Sequence, residues 1–149
     1  MQDWPASSVD QFLASHHVLC LATIVDGAAY TAALFYDYSA RRVAFYFLSS
    51  SNTVHARSVL ASPTVAASVF SQDRNVALLQ GIQLTGRAVG VPVAAAQSEP
   101  AFLDYQAKFP ECRQLLHDKS LYFFTLTADW IKFTDNTAGF GRKYIWSRS

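Results

Sequence analysis

Two strand-like runs joined only by Asp26-Gly27 constrain this chain more than any other feature. His17 to Val25 (HVLCLATIV) and Ala28 to Tyr36 (AAYTAALFY) are rich in β-branched, small and aromatic residues. An Asp-Gly pair between such runs is a strong hairpin signal, because both residues tolerate the backbone of a tight reversal. After a loop at Tyr38-Ser39-Ala40-Arg41-Arg42, Val43 to Leu48 (VAFYFL) reads as a third strand. Three strands with short connections make an antiparallel meander.

The remaining segments extend that pattern. Ser7 and Ser8 are N-cap candidates, with Asp10 and Gln11 at capping-box spacing, and Val9, Phe12 and Leu13 give one apolar stripe of a helix. Thr53 to Leu60 reads as a short helix ended near Pro63, and Thr64 to Phe70 as a strand. Val76 to Val91 reads as a long strand whose Gly81, Gly86 and Gly90 suggest bulges or close backbone approach. Val93 to Phe109 looks helical with Pro100 interrupting it, and Pro110 to His117 adds a further turn or two. Leu121 to Thr127 is a strand, continued by Trp130 to Phe133, before a turn-rich tail. No repeat or linker divides residues 1–149, so one domain is expected: six or more antiparallel strands with helices inserted late, a small β-barrel.

Composition narrows the function classes. Of 149 residues, 51% are hydrophobic and 15% charged, which excludes disorder and leaves little charge to solvate a monomer surface. Self-association is expected. The formal net charge of +1 offers no footprint for nucleic acid. The longest stretches free of Asp, Glu, Lys and Arg, Gln11–Val25 and Ser58–Gln72, have fifteen residues, short of the roughly 20 a membrane helix needs. The opening MQDWPASSVDQFL has neither a basic region nor a clean apolar one, so a signal peptide is not expected. Cys20 and Cys112 fit no disulfide framework or metal motif, and a reduced, cytoplasmic protein is the expectation.

Catalytic signatures are absent: no nucleophile elbow, zinc-protease helix, redox Cys pair, P-loop or dinucleotide fingerprint. The informative stretch is Phe45 to Arg57, where a strand ends in Ser49-Ser50-Ser51-Asn52 and a helix begins with Thr53, His55 and Arg57. Hydroxyls and unpaired N–H groups at a helix start suit a phosphate, with Arg or protonated His adding donors. The same residues also read as an ordinary cap, with Asn52 or Thr53 capping and the rest solvated. Aromatic residues, 14% of the chain, could wall a flat cofactor or simply fill strands. The tail gathers Lys132, Arg142, Lys143 and Arg148 around Phe140 and Trp146, which suits an anionic small ligand, across a dimer interface by the most economical reading.

These segments resemble a known family. Ile131 to Lys143 with Ile145-Trp146, together with Val43 to Tyr46, Thr53 with His55-Ala56, and Gly81-Ile82-Gln83, look like the YhbP-like bacterial branch of the pyridoxamine-5′-phosphate-oxidase-like superfamily. The resemblance implies an FMN-binding split barrel. The fold class is then all-β to α+β, a six-stranded antiparallel split β-barrel with an N-terminal helix and a helical insert before the last strand. It also implies a homodimer with FMN at the subunit interface. The oxidase's phosphate-gripping hydroxyl and Ser-Arg-Lys trio match Ser49 and Thr53, Val54, His55 here. Tyr30 to Phe35 lacks the cations of the oxidase's matching strand, and Gly81 replaces its glutamine, leaving Gln80 and Gln83 nearest. Pyridoxine-phosphate oxidation is therefore not implied. The cofactor-binding set expected from residues and resemblance together is Ser49, Ser50, Thr53, His55, Arg57, Gln83, Arg142, Lys143 and Trp146. The expected function is a flavin-dependent oxidoreductase of unknown substrate. The alternative is a non-catalytic module for another small-molecule ligand (haem, deazaflavin or nucleotide) on the same barrel. Neither a metal, a nucleic acid nor a membrane is expected as partner.

Overall fold

The computed structural model describes residues 3–149. Helix α1 (Ala6–Ser15) buries Val9, Phe12 and Leu13 completely or nearly so, as the apolar spacing requires. It starts before the serines. Pro5 occupies the N-cap position without a side-chain cap bond, and the Pro5 carbonyl accepts from Val9 N–H. Proline's preset φ starts the turn, so the expected capping box at Ser7 and Ser8 does not form.

Strands β1 (Val18–Val25) and β2 (Ala28–Phe35) form the expected hairpin, with Val25 opposite Ala28. Asp26 and Gly27 take φ of 50° and 79°, the twist-matched reversal that favours Asp-Gly. Tyr36 leaves the strand, buries its ring fully and donates its hydroxyl to the Leu13 carbonyl at 2.7 Å. The following residues are not all loop: β3 (Asp37–Ser39) pairs with β4 (Ala44–Ser50). Helix α2 (Val54–Ala61) and β5 (Thr64–Phe70) follow.

Val76–Leu78 forms a 3₁₀ turn capped by Asn75, so β6 (Gln80–Pro92) begins later than the sequence suggests. The helical insert is two pieces, α3 (Val93–Ala96) and α4 (Pro100–Lys108), then a 3₁₀ segment. Pro100 opens α4 rather than interrupting a longer helix, since a first-turn N–H would lack a partner anyway. Strand β7 (Leu121–Asp135) is a single 15-residue strand, and the tail contains β8 (Lys143–Ser147).

The strands form one sheet in the order β2-β1-β5-β6-β7-β4-β3, with β8 also on β7. One edge of β7 carries β6. The other is shared, β4 on Leu121–Thr127 and β8 on Trp130–Thr134. The edge strands β2 and β3 do not pair, so the antiparallel sheet curls into a split barrel with eight strands, more than the six counted from sequence. Its interior is apolar: Leu19, Leu21, Phe45, Phe47, Ile82, Phe124 and Phe133 are fully buried. A second core lies outside β4 and β7, where Tyr46 and Phe123 pack under Phe102, Tyr105 and Phe109. Among the described residues, no such core covers the outer face of β1, β2, β5 and β6. No helix among the described residues is long and apolar enough to cross a membrane.

Candidate functional site

Strand alternation divides the serines at the end of β4. Ser49 continues the inward row of Phe45 and Phe47 and is 7% exposed. Ser50 faces the opposite side. Its Oγ lies 2.7 Å from Ser120 Oγ, whose own proton goes to Asp118 Oδ1 at 2.7 Å. Ser50 therefore donates to Ser120, and it also accepts from Asn52 N–H. Its hydroxyl is committed to holding the β4–α2 turn.

Thr53 caps α2. Its hydroxyl donates to the Ser50 carbonyl at 2.8 Å and accepts from Ala56 N–H at 3.3 Å. Its one proton is thereby in use. Ser49 differs. Ser49 Oγ lies 2.6 Å from His55 Nε2, with Thr53 Oγ1 at 3.4 Å from Ser49 and 3.3 Å from His55. Either Ser49 donates to the ring, or Nε2–H donates to Ser49 and frees the Ser49 proton for a ligand. Burial holds the His55 pKa below its ordinary value, so the imidazole favours its neutral form near neutral pH.

In the second arrangement the site offers one releasable hydroxyl proton, a neutral imidazole, and the Val54 and His55 N–H groups that a first helical turn leaves without intrahelical acceptors. That donor set fits a phosphate ester through hydrogen bonds and the helix dipole rather than through a cation. Arg57 is exposed and lines a separate depression with Ile24, Val25, Asp26 and Ser58, at the β1–β2 hairpin tip.

The other expected residues lie elsewhere. Ser49 is level with Tyr122 at the start of β7, whereas Gln83 is level with Lys132 near its end. About ten residues of β7 separate the two levels, roughly 30 Å of strand. Gln83 lines a trough on the outer sheet face with Cys20, Ala22, Ser68, Trp130 and Lys132. Trp146 packs its partly buried ring on the barrel core, with the Arg148 guanidinium 5.3 Å above it. Arg142 lies over the Tyr144 ring at 5.5 Å, and Lys143 Nζ donates to the Gly141 carbonyl at 3.2 Å. One protomer brings together Ser49, Thr53 and His55, and places Gln83, Arg142, Lys143 and Trp146 toward the other end of β7. Two residues the sequence reading passed over matter here. Ser120 commits Ser50, and Trp130 walls the outer trough; only the β4–β7 and β6–β7 registers, which are not local in sequence, place them.

No protein-family model matches the chain. The UPF0306 protein YhbP of Escherichia fergusonii is 36% identical over 143 residues, covering 96% of this chain and 93% of the relative. Among solved structures, a heme binding protein from Mycobacterium smegmatis superposes with a TM-score of 0.76 at 18% identity, covering 99% of this chain and 59% of that one. A Clostridium acetobutylicum protein related to general stress protein 26, of the pyridoxinephosphate oxidase family, gives 0.70 at 12% identity, covering 95% and 93%. These likenesses show the split-barrel fold.

Proposed function

The chain belongs to the UPF0306 family of YhbP proteins, and on that premise we propose that it is a homodimer that binds FMN and acts as a flavin-dependent oxidoreductase. The observation that carries this reading is the Ser49–His55 pair, 2.6 Å apart at the start of α2, beside the Val54 and His55 N–H groups of its first turn. Ser49, His55 and the first amides of α2 would hold the phosphate, and Thr53 would fix the helix that presents them. When bound, the flavin supplies the redox chemistry, so the absence of a side-chain acid or nucleophile motif is no obstacle.

The homodimer part of the reading rests on one feature. The outer sheet face exposes Val18, Ile24 and Phe35 beside Ala22, Ala33 and Ala66, an uncovered apolar surface of the kind that marks association. The test is the visible absorption spectrum of the purified protein, alone and after FMN addition and desalting. Retained flavin bands that weaken in Ser49→Ala and His55→Ala support the reading, and a protein that releases all added FMN overturns it.

A second reading is haem binding. His16, His17 and Cys20 line one depression of about 450 Å³ on the outer face, so imidazole and thiol donors stand beside apolar sheet surface. A haemin titration that gives a shifted Soret band in the parent and not in His17→Ala with His16→Ala would favour it over FMN.

A further inference from the structure

A depression of about 270 Å³ lies where the end of β2 approaches β4 across the split of the barrel, bordered by α4 and the 3₁₀ segment Pro110–Leu115. No strand pairing closes this gap, since β2 pairs with β1, and β4 with β3 and β7. Tyr105 of α4 spans it instead. Its hydroxyl donates to the Phe35 carbonyl at 3.2 Å, and the Leu48 N–H bonds the same oxygen. Lys108, three residues on, donates to the His16 carbonyl at 3.0 Å. These bonds tie α4 to both sides of the gap, so the space beside them cannot close by a shift of the helix.

The walls are apolar and concave. Phe35, Tyr105 and Phe109 place three rings around the space, with Ala33, Leu48 and Leu115 completing it. The Phe109 centroid is 5.5 Å from Phe35 and 5.0 Å from Tyr105, and the ring planes are inclined by 58° and 49°. Rings inclined in this way curve around a space instead of stacking into a flat layer. Phe35 and Leu115 are more than half exposed, so the apolar surface continues from wall to rim. Cys112, buried and free of any disulfide, adds a further weakly polar group to the wall.

The charges argue for an uncharged occupant. Among the described residues of the lining, Glu111 alone is charged, and it opposes an anion. Lys108 already stands over the Phe109 ring, 5.4 Å from its centroid, and opposes a cation there. An ion would also give up its hydration to walls that offer it little in return. The volume lies just under the roughly 300 Å³ at which ligand pockets for larger molecules begin, so the fit is to something of one or two rings.

We infer that this depression binds a small, uncharged, flat aromatic molecule of one or two rings, packed against Phe35, Tyr105 and Phe109. The site is separate from the flavin reading: Leu48 lines it, whereas Ser49 and His55 do not.

The experiment is ¹H–¹⁵N shift mapping of the full chain with indole and no flavin, compared with tryptamine, indole-3-acetate and 1-hexanol. Saturable shifts at Leu48, Phe109 and Leu115 are expected from indole, with the two charged analogues and the aliphatic alcohol binding about ten-fold or more weakly. Phe35→Leu keeps an apolar rim and removes one ring, and should weaken binding several-fold. Ala33→Leu fills the space from an exposed position, and should abolish the shifts without lowering the melting temperature. Absence of saturable shifts at millimolar indole overturns the inference. If the same amides instead shift as protein concentration rises, a second copy is the occupant. Equal binding of 1-hexanol or of either charged analogue also overturns it, as does binding unchanged in both variants.

Discussion

Arg148 holds Val43 in the left-handed region of backbone space. Val43 has φ of 51°, costly for a β-branched residue, and the Arg148 guanidinium donates to its carbonyl at 3.3 Å and to the Arg42 carbonyl at 3.0 Å. The same side chain donates to the Ala128 carbonyl at 2.9 Å. Arg148 therefore bridges the place on β7 between the first residue of β4, opposite Thr127, and the last of β8, opposite Trp130.

Removing that bridge should be felt. Arg148→Ala loses these three bonds and leaves the strained turn held by the Ala128 N–H alone among those named, at a cost of about 1–2 kcal/mol given their partial exposure. The urea midpoint should fall, and the Ala128 amide, which donates to the Val43 carbonyl at 3.1 Å, should exchange faster. An unchanged midpoint and exchange rate would mean that Val43 is held by the barrel alone.

His55 should make stability fall in mild acid. Burial depresses its folded pKa below the 6.5 of the free group, so the unfolded chain takes up a proton before the folded one. Stability is full above about pH 6.5, is lost as pH falls toward the depressed folded value, and levels off below it. Asp37 is shifted upward, by burial first, so its titration contributes with the opposite sign, and it is common to both proteins compared. The comparison is therefore between the parent and His55→Asn, melted from pH 7.5 to 5.5. The parent's melting temperature should drop more steeply; parallel curves would remove His55 from the linkage.

The barrel was legible in the sequence wherever the signal was local. The Asp26-Gly27 reversal, the α1 stripe of Val9, Phe12 and Leu13, and a cap at Asn52 or Thr53 all follow from residues a few positions apart, and the structure settles the cap on Thr53. The misread pieces were settled by distant partners. Asp37–Ser39 is a strand because β4 is beside it, and β8 exists because the far half of β7 has a free edge. At the site, the order of residues after Ser49 suggested a hydroxyl cluster but not which hydroxyl is available. Ser50 and Thr53 are committed by Ser120, a carbonyl and a helix amide, and pairing of that kind is invisible along the chain.

Gly86 is required by backbone, not by a turn. A Cβ there would lie 2.2 Å from the Thr127 carbonyl oxygen, beside the shift in β6–β7 register between Thr85 and Gly86. The clash is with main chain and cannot be relieved by a rotamer. Gly86→Ala should cost about 2–3 kcal/mol and lower the melting temperature by several degrees. Gly141→Ala is the contrast: its φ of 75° costs some strain, but nothing lies within 4 Å, so its loss should be about 1 kcal/mol. Equal losses at the two sites would contradict the steric argument.

The outer sheet face gives the last expectation. Cys20 is exposed there and lies in register with Ala33 on β2 and Ser68 on β5, while Cys112 is buried under the helical insert. If a second copy covers this face, the reactivity of Cys20 with an aromatic disulfide reagent must fall as protein concentration rises, with Cys112 slow throughout. Ala66, beside Cys20 on the same face, is the place to break the contact. Ala66→Glu sets a charge, and by two-fold symmetry its copy, into an apolar interface. The variant should elute and scatter as a monomer, keep its far-UV spectrum, and label fast at Cys20 at every concentration. A parent that is already monomeric and labels independently of concentration would remove the homodimer.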